Sequence, residues 1–422
     1  MKCLFSIEDG KHHLERKTKT WYAYAITNGG LTFDMRIGIL GGTFNPVHNA
    51  HVQMARIARD EAALDRVLLV VAADPPHKSV EGAVSANERF KMTSLAVEDE
   101  DRVDASDMEL KRGGKSYTLL TLQELHAQYP EAKFFLIVGS DMLSDLPNWY
   151  QPENVLKLAD ILCVPRIGRN QNDEQMVREL NARYGARAAI LSGRADMISS
   201  TEIRDRLEAG ESVGGLLPEA VEQACYESGV YFPADVRALQ EQCRAALSEK
   251  RYRHSVGAMR AAAKLSGLWN QDPGKARIAA LLHDCAKCLD IVTQEVLSGD
   301  DVGIPAIYHS FAGAVIAKTE YGVTDEQILR AIRLHTTGDI GMTDFDATIY
   351  AADLIEPTRT FSCVEEYRKR VSSGPDEFMR YALRRVAWFI GRSGDALHPA
   401  TQRAIEYYDA KQTNQKKMEG SH

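Results

Sequence analysis

Apolar positions along this chain follow two regimes, and the change between them falls near residue 233. From Met35 onward, short apolar runs alternate with longer stretches of helical period. RIGIL at 36–40 is followed by a stretch from Ala50 to Ala63, RVLLVVAA at 66–73, and a second stretch from Asn87 to Val97. Short runs unbroken by polar residues read as strands buried on both faces, and the βαβα order they make with the helices builds a parallel sheet. FFLIV at 134–138, ILCVP at 161–165 and AAIL at 188–191 continue the series. The first half is therefore expected to be an α/β fold with a doubly wound parallel sheet, whose right-handed crossovers bring ligands to the carboxyl ends of the strands.

After Phe232-Pro233 the strand-like runs stop, and apolar residues three and four apart dominate. Ala258 to Leu268, Lys275 to Leu289, Phe311 to Tyr321, Asp325 to His335 and Phe378 to Phe389 all read as helices, so the second half is expected to be all-α. A length of 422 residues accommodates two domains of ordinary size. The divisions expected are a poorly ordered extension over 1–34, with translation starting at Met35, an α/β domain over 35–232, an all-α domain over 233–410 and a frayed polar tail over 411–422.

Composition narrows the function classes. A net charge of −8 argues against a phosphate-backbone grip, so no nucleic-acid partner is expected. No run approaches the roughly 18 apolar residues of a membrane span, and the charged N-terminus lacks the apolar core of a signal peptide. The seven cysteines are scattered and read as reduced thiols, and a cytoplasmic protein is expected. Cys285 and Cys288 form a lone C-x-x-C read as lying mid-helix and without a metal or redox role.

The strand RIGIL runs straight into Gly41-Gly42-Thr43-Phe44-Asn45-Pro46-Val47-His48-Asn49-Ala50-His51 and then a helix. Glycines at a strand end let backbone N–H groups approach a phosphate, and the helix N-terminus adds its dipole. His48 and His51, three apart on the first helical turn, would face the same anion. ISSTEIR at 198–204 offers a second anion grip, with Ser199, Ser200 and Thr201 at a helix start and the guanidinium of Arg204 one turn on.

Taken together, GGTFNPVHNAH, Pro75-Pro76-His77-Lys78, Gly113 to Thr118, Val138-Gly139-Ser140-Asp141, Leu146-Pro147-Asn148-Trp149 and ISSTEIR resemble the HxGH nucleotidyltransferases, and more narrowly the bacterial nicotinate-nucleotide adenylyltransferases. The resemblance covers about 36–230 and implies a Rossmann-like domain that transfers AMP from ATP, with Mg2+, to nicotinate mononucleotide, giving deamido-NAD and pyrophosphate. It implies that His48, His51 and Arg204 act on the phosphates. Gly41, Gly42, Thr43, Phe44, Lys78, Gly139, Asp141, Ser199, Ser200 and Thr201 would bind nucleotide, with Thr118 and Trp149 beside the nicotinate ring. Ala50 stands where the family pattern has glycine, and alanine is comfortable at a helix start. Nicotinamide mononucleotide or phosphopantetheine as acceptor stays open, with Thr118, Trp149 and the PPHK segment favouring nicotinate.

The second half spreads His254, His283-Asp284, His309, His335 and Asp353 over its helical stretches. Imidazoles and carboxylates in one set suit a divalent transition metal. Lys287 lies close enough behind Asp284 to reach a phosphate oxygen. The order His, His-Asp, His, His, Asp resembles the HD phosphohydrolase superfamily. The strings around Leu281-Leu282-His283-Asp284, His335-Thr336-Thr337-Gly338 and Ala352-Asp353-Leu354-Ile355-Glu356-Pro357 with Arg359 resemble its YqeK-type symmetrical diadenosine-tetraphosphate hydrolases. That resemblance implies an HD-type domain in which His254, His283, Asp284 and Asp353 hold iron or another divalent metal. Asp284 and Lys287 would act in catalysis, His309 and His335 would face a second metal or the phosphates, and Thr336 and Arg359 would bind the substrate, diadenosine tetraphosphate. An HD domain acting on other nucleotides, or a non-catalytic nucleotide sensor or dimerisation module, stays open for this half. No oligomeric state is implied.

Overall fold

The computed structural model describes residues 35–75, 84–168, 173–299 and 302–419. Six strands, β1 (Arg36–Gly42), β2 (Arg66–Val71), β3 (Val103–Ser106), β4 (Lys133–Gly139), β5 (Asp160–Val164) and β6 (Ala188–Ile190), form one sheet of order β3-β2-β1-β4-β5-β6. Every pairing is parallel. The order reverses between β1 and β4, so the carboxyl ends of these two strands flank the crevice in which such sheets take ligands.

The apolar runs alternate between two cores. Ile37, Ile39, Leu68 and Val70 feed one face of the sheet, and Leu40, Val67, Leu69 and Val71 the other. On that second face the core continues without a break through Leu207 and Val221 into Ala276, Leu281 and Ala351 of the helical half. The two halves are thus packed on a shared apolar cluster.

Beyond the helix Ala234–Ala246 the chain is helical, as its periodicity predicts. One strand, β3, was not visible in the pattern, because VDAS at the sheet edge is short and mostly half-buried. Two helices end earlier than expected. Pro273–Leu282 and Glu326–Leu334 both stop directly before a histidine, His283 and His335. There the ring takes up a backbone carbonyl of the last turn, Nδ1 of His283 meeting Ala280 O at 2.7 Å and Nδ1 of His335 meeting Ile332 O at 2.7 Å. Past His283 the chain coils in tighter turns, with Cys285 N–H on Leu282 O and Lys287 N–H on Asp284 O. The C-x-x-C pair accordingly lies in turns and not in mid-helix.

The polar stretch from Lys411, expected to fray, continues the helix Pro399–Glu419. Lys411 pairs with Asp376 at 2.6 Å and Gln412 donates to Glu377 at 3.3 Å, which fixes its start against Pro375–Ser393. The 1–34 extension lies outside the described residues. Among the described residues no helix is long and apolar enough to cross a membrane.

Candidate active sites

A cleft of about 690 Å³ opens at the reversal point of the sheet. Its wall includes Gly41, Gly42, Thr43, Phe44, His48 and His51 from the β1 loop, Thr118 and Trp149 opposite, Gly139 and Asp141 from the end of β4, and Ser199, Ser200, Thr201 and Arg204. Of the residues expected at the first site, Lys78 alone lies outside the described residues.

The loop has a definite shape. Phe44 adopts a left-handed φ of 49°, which turns its ring inward, and a Cβ on Gly42 would stand 2.9 Å from that ring. Glycine at 42 leaves the space that Phe44 occupies. The Phe44 ring in turn meets His51 edge-on, with centroids 4.9 Å apart. His48 caps the helix Asn49–Glu61, its backbone N–H donating to His51 Nδ1 at 3.2 Å. Burial, together with the nearby charge of Arg166, lowers the His48 pKa to about 3, so its ring is neutral at physiological pH. Its Nδ1 has no hydrogen-bond partner among the described residues. Ala50 is fully buried in the core and is not part of the cleft wall, so its methyl group does not narrow the site.

ISSTEIR folds onto the same loop. Ser199 caps the helix Ser200–Ala209 by accepting from Thr201 N–H at 3.2 Å, and Ser200 Oγ donates to Pro46 O at 2.9 Å. Arg204 donates to Asn45 O at 2.7 Å and to Thr201 Oγ1 at 3.2 Å. Three features escaped sequence reasoning. Arg166, just past β5, lines the cleft, and Tyr117 and Tyr150 lie there with tilted rings 4.5 Å apart beside Trp149. Arg89, 1 % exposed, donates to Thr43 O at 2.5 Å, Ala72 O at 2.8 Å and Val84 O at 3.2 Å, bracing the glycine loop from beneath. The available signal was an arginine in register with the buried positions Met92, Thr93 and Ala96 of its helix.

In the second half the structure brings His254, His283, Asp284, His309, His335 and Asp353 into one cluster, with Lys287 and Arg359 at its edge. His254 Nε2 lies 2.9 Å from Asp353 Oδ1 and 3.1 Å from His283 Nε2. Asp284 Oδ1 lies 3.4 Å from His309 Nε2 and 3.7 Å from His335 Nε2. Lys287 Nζ reaches His309 Nδ1 at 2.8 Å, Arg359 pairs with Asp353, and Thr336 shares a hydroxyl contact with Ser310 at 2.8 Å.

The donor set fits a metal ion. Nδ1 is engaged in His254 by Glu356 Oε1 at 3.0 Å, in His283 by Ala280 O and in His335 by Ile332 O, which turns each Nε2 inward. The ligand atoms of His254, His283 and Asp353 lie within 4.8 Å of one another, as do those of His283, Asp284 and His335. Imidazole nitrogens and carboxylates so arranged suit a divalent transition metal. Burial opposes the charge of Asp284 and Asp353, but neighbouring histidines outweigh it and hold both carboxyls well below their usual range. Burial lowers His283 to about 4, which keeps its ring neutral as a ligand's must be, whereas at His254 burial is outweighed by the hydrogen bonds with Asp353 and Glu356, which raise the pKa to about 9, so metal binding there would displace a proton. Glu356, fully buried, and Arg251, 3.1 Å from Asp284, belong to this site and were not singled out from the sequence.

Residues 39–206 match the Cytidylyltransferase-like family and residues 251–358 the HD domain family. Fold, cleft and match together define a nucleotidyltransferase-type domain joined to an HD domain. A probable nicotinate-nucleotide adenylyltransferase from Synechococcus sp. (strain JA-3-3Ab) is 41% identical over 196 residues, covering 46% of this chain and 94% of the relative. Its counterpart from Gloeobacter violaceus is 41% identical over 197 residues, covering 46% of this chain and 96% of the relative. The chain belongs, through this first half, to the nicotinate-nucleotide adenylyltransferase family. A solved structure from Clostridium acetobutylicum, described as a predicted HD superfamily hydrolase involved in NAD metabolism, is 34% identical with a TM-score of 0.40, covering 42% of this chain and 97% of that one.

Proposed function

We propose that the first half transfers AMP from ATP to nicotinate mononucleotide. The observation that carries this reading is the pair of stacked histidines on the glycine loop, lining one cleft with Arg204, in a half that is 41% identical over 196 residues to the Synechococcus relative. A phosphate oxygen of the mononucleotide forms a new bond to the α-phosphorus of ATP, and the α–β anhydride bond breaks with its electron pair leaving on pyrophosphate. The attacking oxygen is already anionic, so no general base is needed, and the protein's work is positioning and charge stabilisation. ATP enters as its magnesium complex. His48 and His51 donate N–H groups to the phosphate oxygens, Arg204 and the hydroxyls of Ser199 to Thr201 hold the phosphate chain, and Trp149 and Thr118 bound the pyridine ring. Gly139 and Asp141, which line the same cleft at the end of β4, would bind the nucleotide.

The second half is read as a phosphoanhydride hydrolase whose substrate is diadenosine tetraphosphate, cut to two ADP. His254, His283, Asp284 and Asp353 would hold the metal, with iron as the expected ion. A bound divalent cation supplies an acidified water and polarises the phosphoryl group. Lys287, Arg251 and Arg359 bring positive charge to the phosphates, and His309, His335 and Thr336 orient them.

One pair of assays tests both readings: pyrophosphate release with nicotinate mononucleotide against its amide, and hydrolysis of diadenosine tetraphosphate with metal content measured alongside. His51→Ala is expected to abolish only the first activity and Asp284→Ala only the second. Loss of both activities in either variant would contradict two separate chemistries.

A further inference from the structure

Arg277 sits in the helical half, on Pro273–Leu282, yet its side chain serves the first half. It is 4 % exposed, and its guanidinium makes no ion pair among the described residues. Instead it donates to Leu207 O at 2.6 Å and Glu208 O at 3.2 Å, and it stands 4.8 Å over the Phe232 ring. Those carbonyls close the C-terminal end of the helix Ser200–Ala209, where unsatisfied acceptors and the negative end of the dipole favour a cation.

A second contact joins the same two helices. Gly210 ends Ser200–Ala209 at φ +86°, and a Cβ there would stand 2.8 Å from Pro273 O and 3.1 Å from Gly274 N. The end of one helix thus abuts the start of the other, backbone to backbone. The first turn of Ser200–Ala209 carries Ser200 and Thr201 of the phosphate grip, and Arg204, in mid-helix, holds Asn45 O. Asn45 is held from its other side by Tyr231, the neighbour of Phe232, whose hydroxyl donates to Asn45 Oδ1 at 2.8 Å.

We propose that Arg277 is a positioning residue for the adenylyl-transfer cleft, through which the HD half fixes the height of the Arg204 grip over the glycine loop. The inference rests on the transferase reading above. Arg204 lies about one helical turn ahead of the clamped Leu207 and Glu208 carbonyls, so displacement at that end reaches the grip undiminished. The far end of Pro273–Leu282 leads into His283-Asp284, so both centres are referenced to the same pair of helices.

The test compares full-length variants. Arg277→Gln removes the cation, Arg277→Lys keeps it but cannot span both carbonyls, and Arg260→Gln is the control. Arg260 also crosses between the halves, reaching Glu222 at 3.2 Å and Gln223 at 2.6 Å, but on the helix Glu219–Ser228, which supplies nothing to the cleft. Arg277→Gln is expected to lower kcat/KM for ATP about tenfold, mostly through KM, with Arg277→Lys down about threefold and Arg260→Gln unchanged. Backbone amides of 200–205 are expected to exchange with deuterium at least tenfold faster in Arg277→Gln than in Arg260→Gln. Equal kinetics and exchange in these two variants would overturn the proposal. If Arg277→Gln does not fold, wild-type KM in Arg277→Lys would overturn it as well. A wild-type chain that transfers no AMP defeats the transferase reading instead, and the exchange rates then decide the clamp alone.

Discussion

The imidazole rings of His48 and His51 lie nearly parallel, 21° apart with centroids separated by 3.6 Å, and only the first of them is buried. Two protonated rings at this separation would repel, so neutrality of His48 is part of the arrangement. Its pKa is lowered to about 3 from 6.5, chiefly by burial and secondarily by Arg166. Below pH 6.5 the unfolded chain binds a proton here that the native chain refuses, so native stability falls as pH drops from 6.5 toward 3. Above 6.5 neither state is charged and the penalty vanishes. Urea unfolding at pH 7.5 and 4.5 is expected to show the wild type losing about 2–3 kcal/mol more than His48→Gln over that interval. Parallel losses in both proteins would refute this assignment.

Arg89 supports the same loop from the core. Arg89→Met would leave the carbonyls of Thr43, Ala72 and Val84 without this donor. The expected cost is about 3–4 kcal/mol in denaturant unfolding, since buried acceptors lose their desolvation compensation. A loss under about 1 kcal/mol would show that the loop relaxes to find other donors.

Gly42→Ala tests whether the loop's shape or merely its flexibility matters. The added methyl would press on the Phe44 ring at 2.9 Å, and that ring braces His51. Transfer activity is expected to fall about tenfold or more, because small misplacements of a positioning group are costly. The hydrolysis proposed for the HD half is expected to be the same in this variant as in the wild type. Gly41→Ala, whose Cβ would meet nothing within 4 Å, is the milder companion.

What was legible in the sequence follows from distance along the chain. RIGIL leading into GGTFNPVHNAH puts strand, loop and both histidines in one contiguous string, so fold and site could be read together. The HD half was legible for a different reason: His283 and His335 are polar residues that close apolar helical runs, as in Ala279 to Leu282 before His283, and the series His, His-Asp, His, His, Asp runs through the helices. Supporting residues were not legible. Arg89 lies 46 residues from Thr43, Glu356 lies 102 from His254, and Arg277 lies 70 from Leu207. No local pattern links such partners. β3 was missed because its four residues are mostly half-buried at a sheet edge, where alternation is weak.

Glu356 offers the sharpest test of the metal reading, because it touches a ligand without being one. Its carboxylate faces His254 Nδ1 at 3.0 Å and accepts from Thr358 N–H at 2.7 Å and Thr358 Oγ1 at 2.5 Å, while Gly257 leaves room for it. A carboxylate there fixes the tautomer with the proton on Nδ1 and raises the basicity of Nε2, the atom that faces His283. Glu356→Gln is nearly isosteric but can present an amide N–H to the ring, which favours the wrong tautomer. Its affinity for Mn2+ or Fe2+, measured by titration of the metal-free protein, is expected to drop about 10- to 100-fold, with hydrolysis falling in step and AMP transfer unchanged. Unaltered affinity in a folded Glu356→Gln protein would mean that His254 is oriented by packing alone, and that Glu356 has no part in holding the metal.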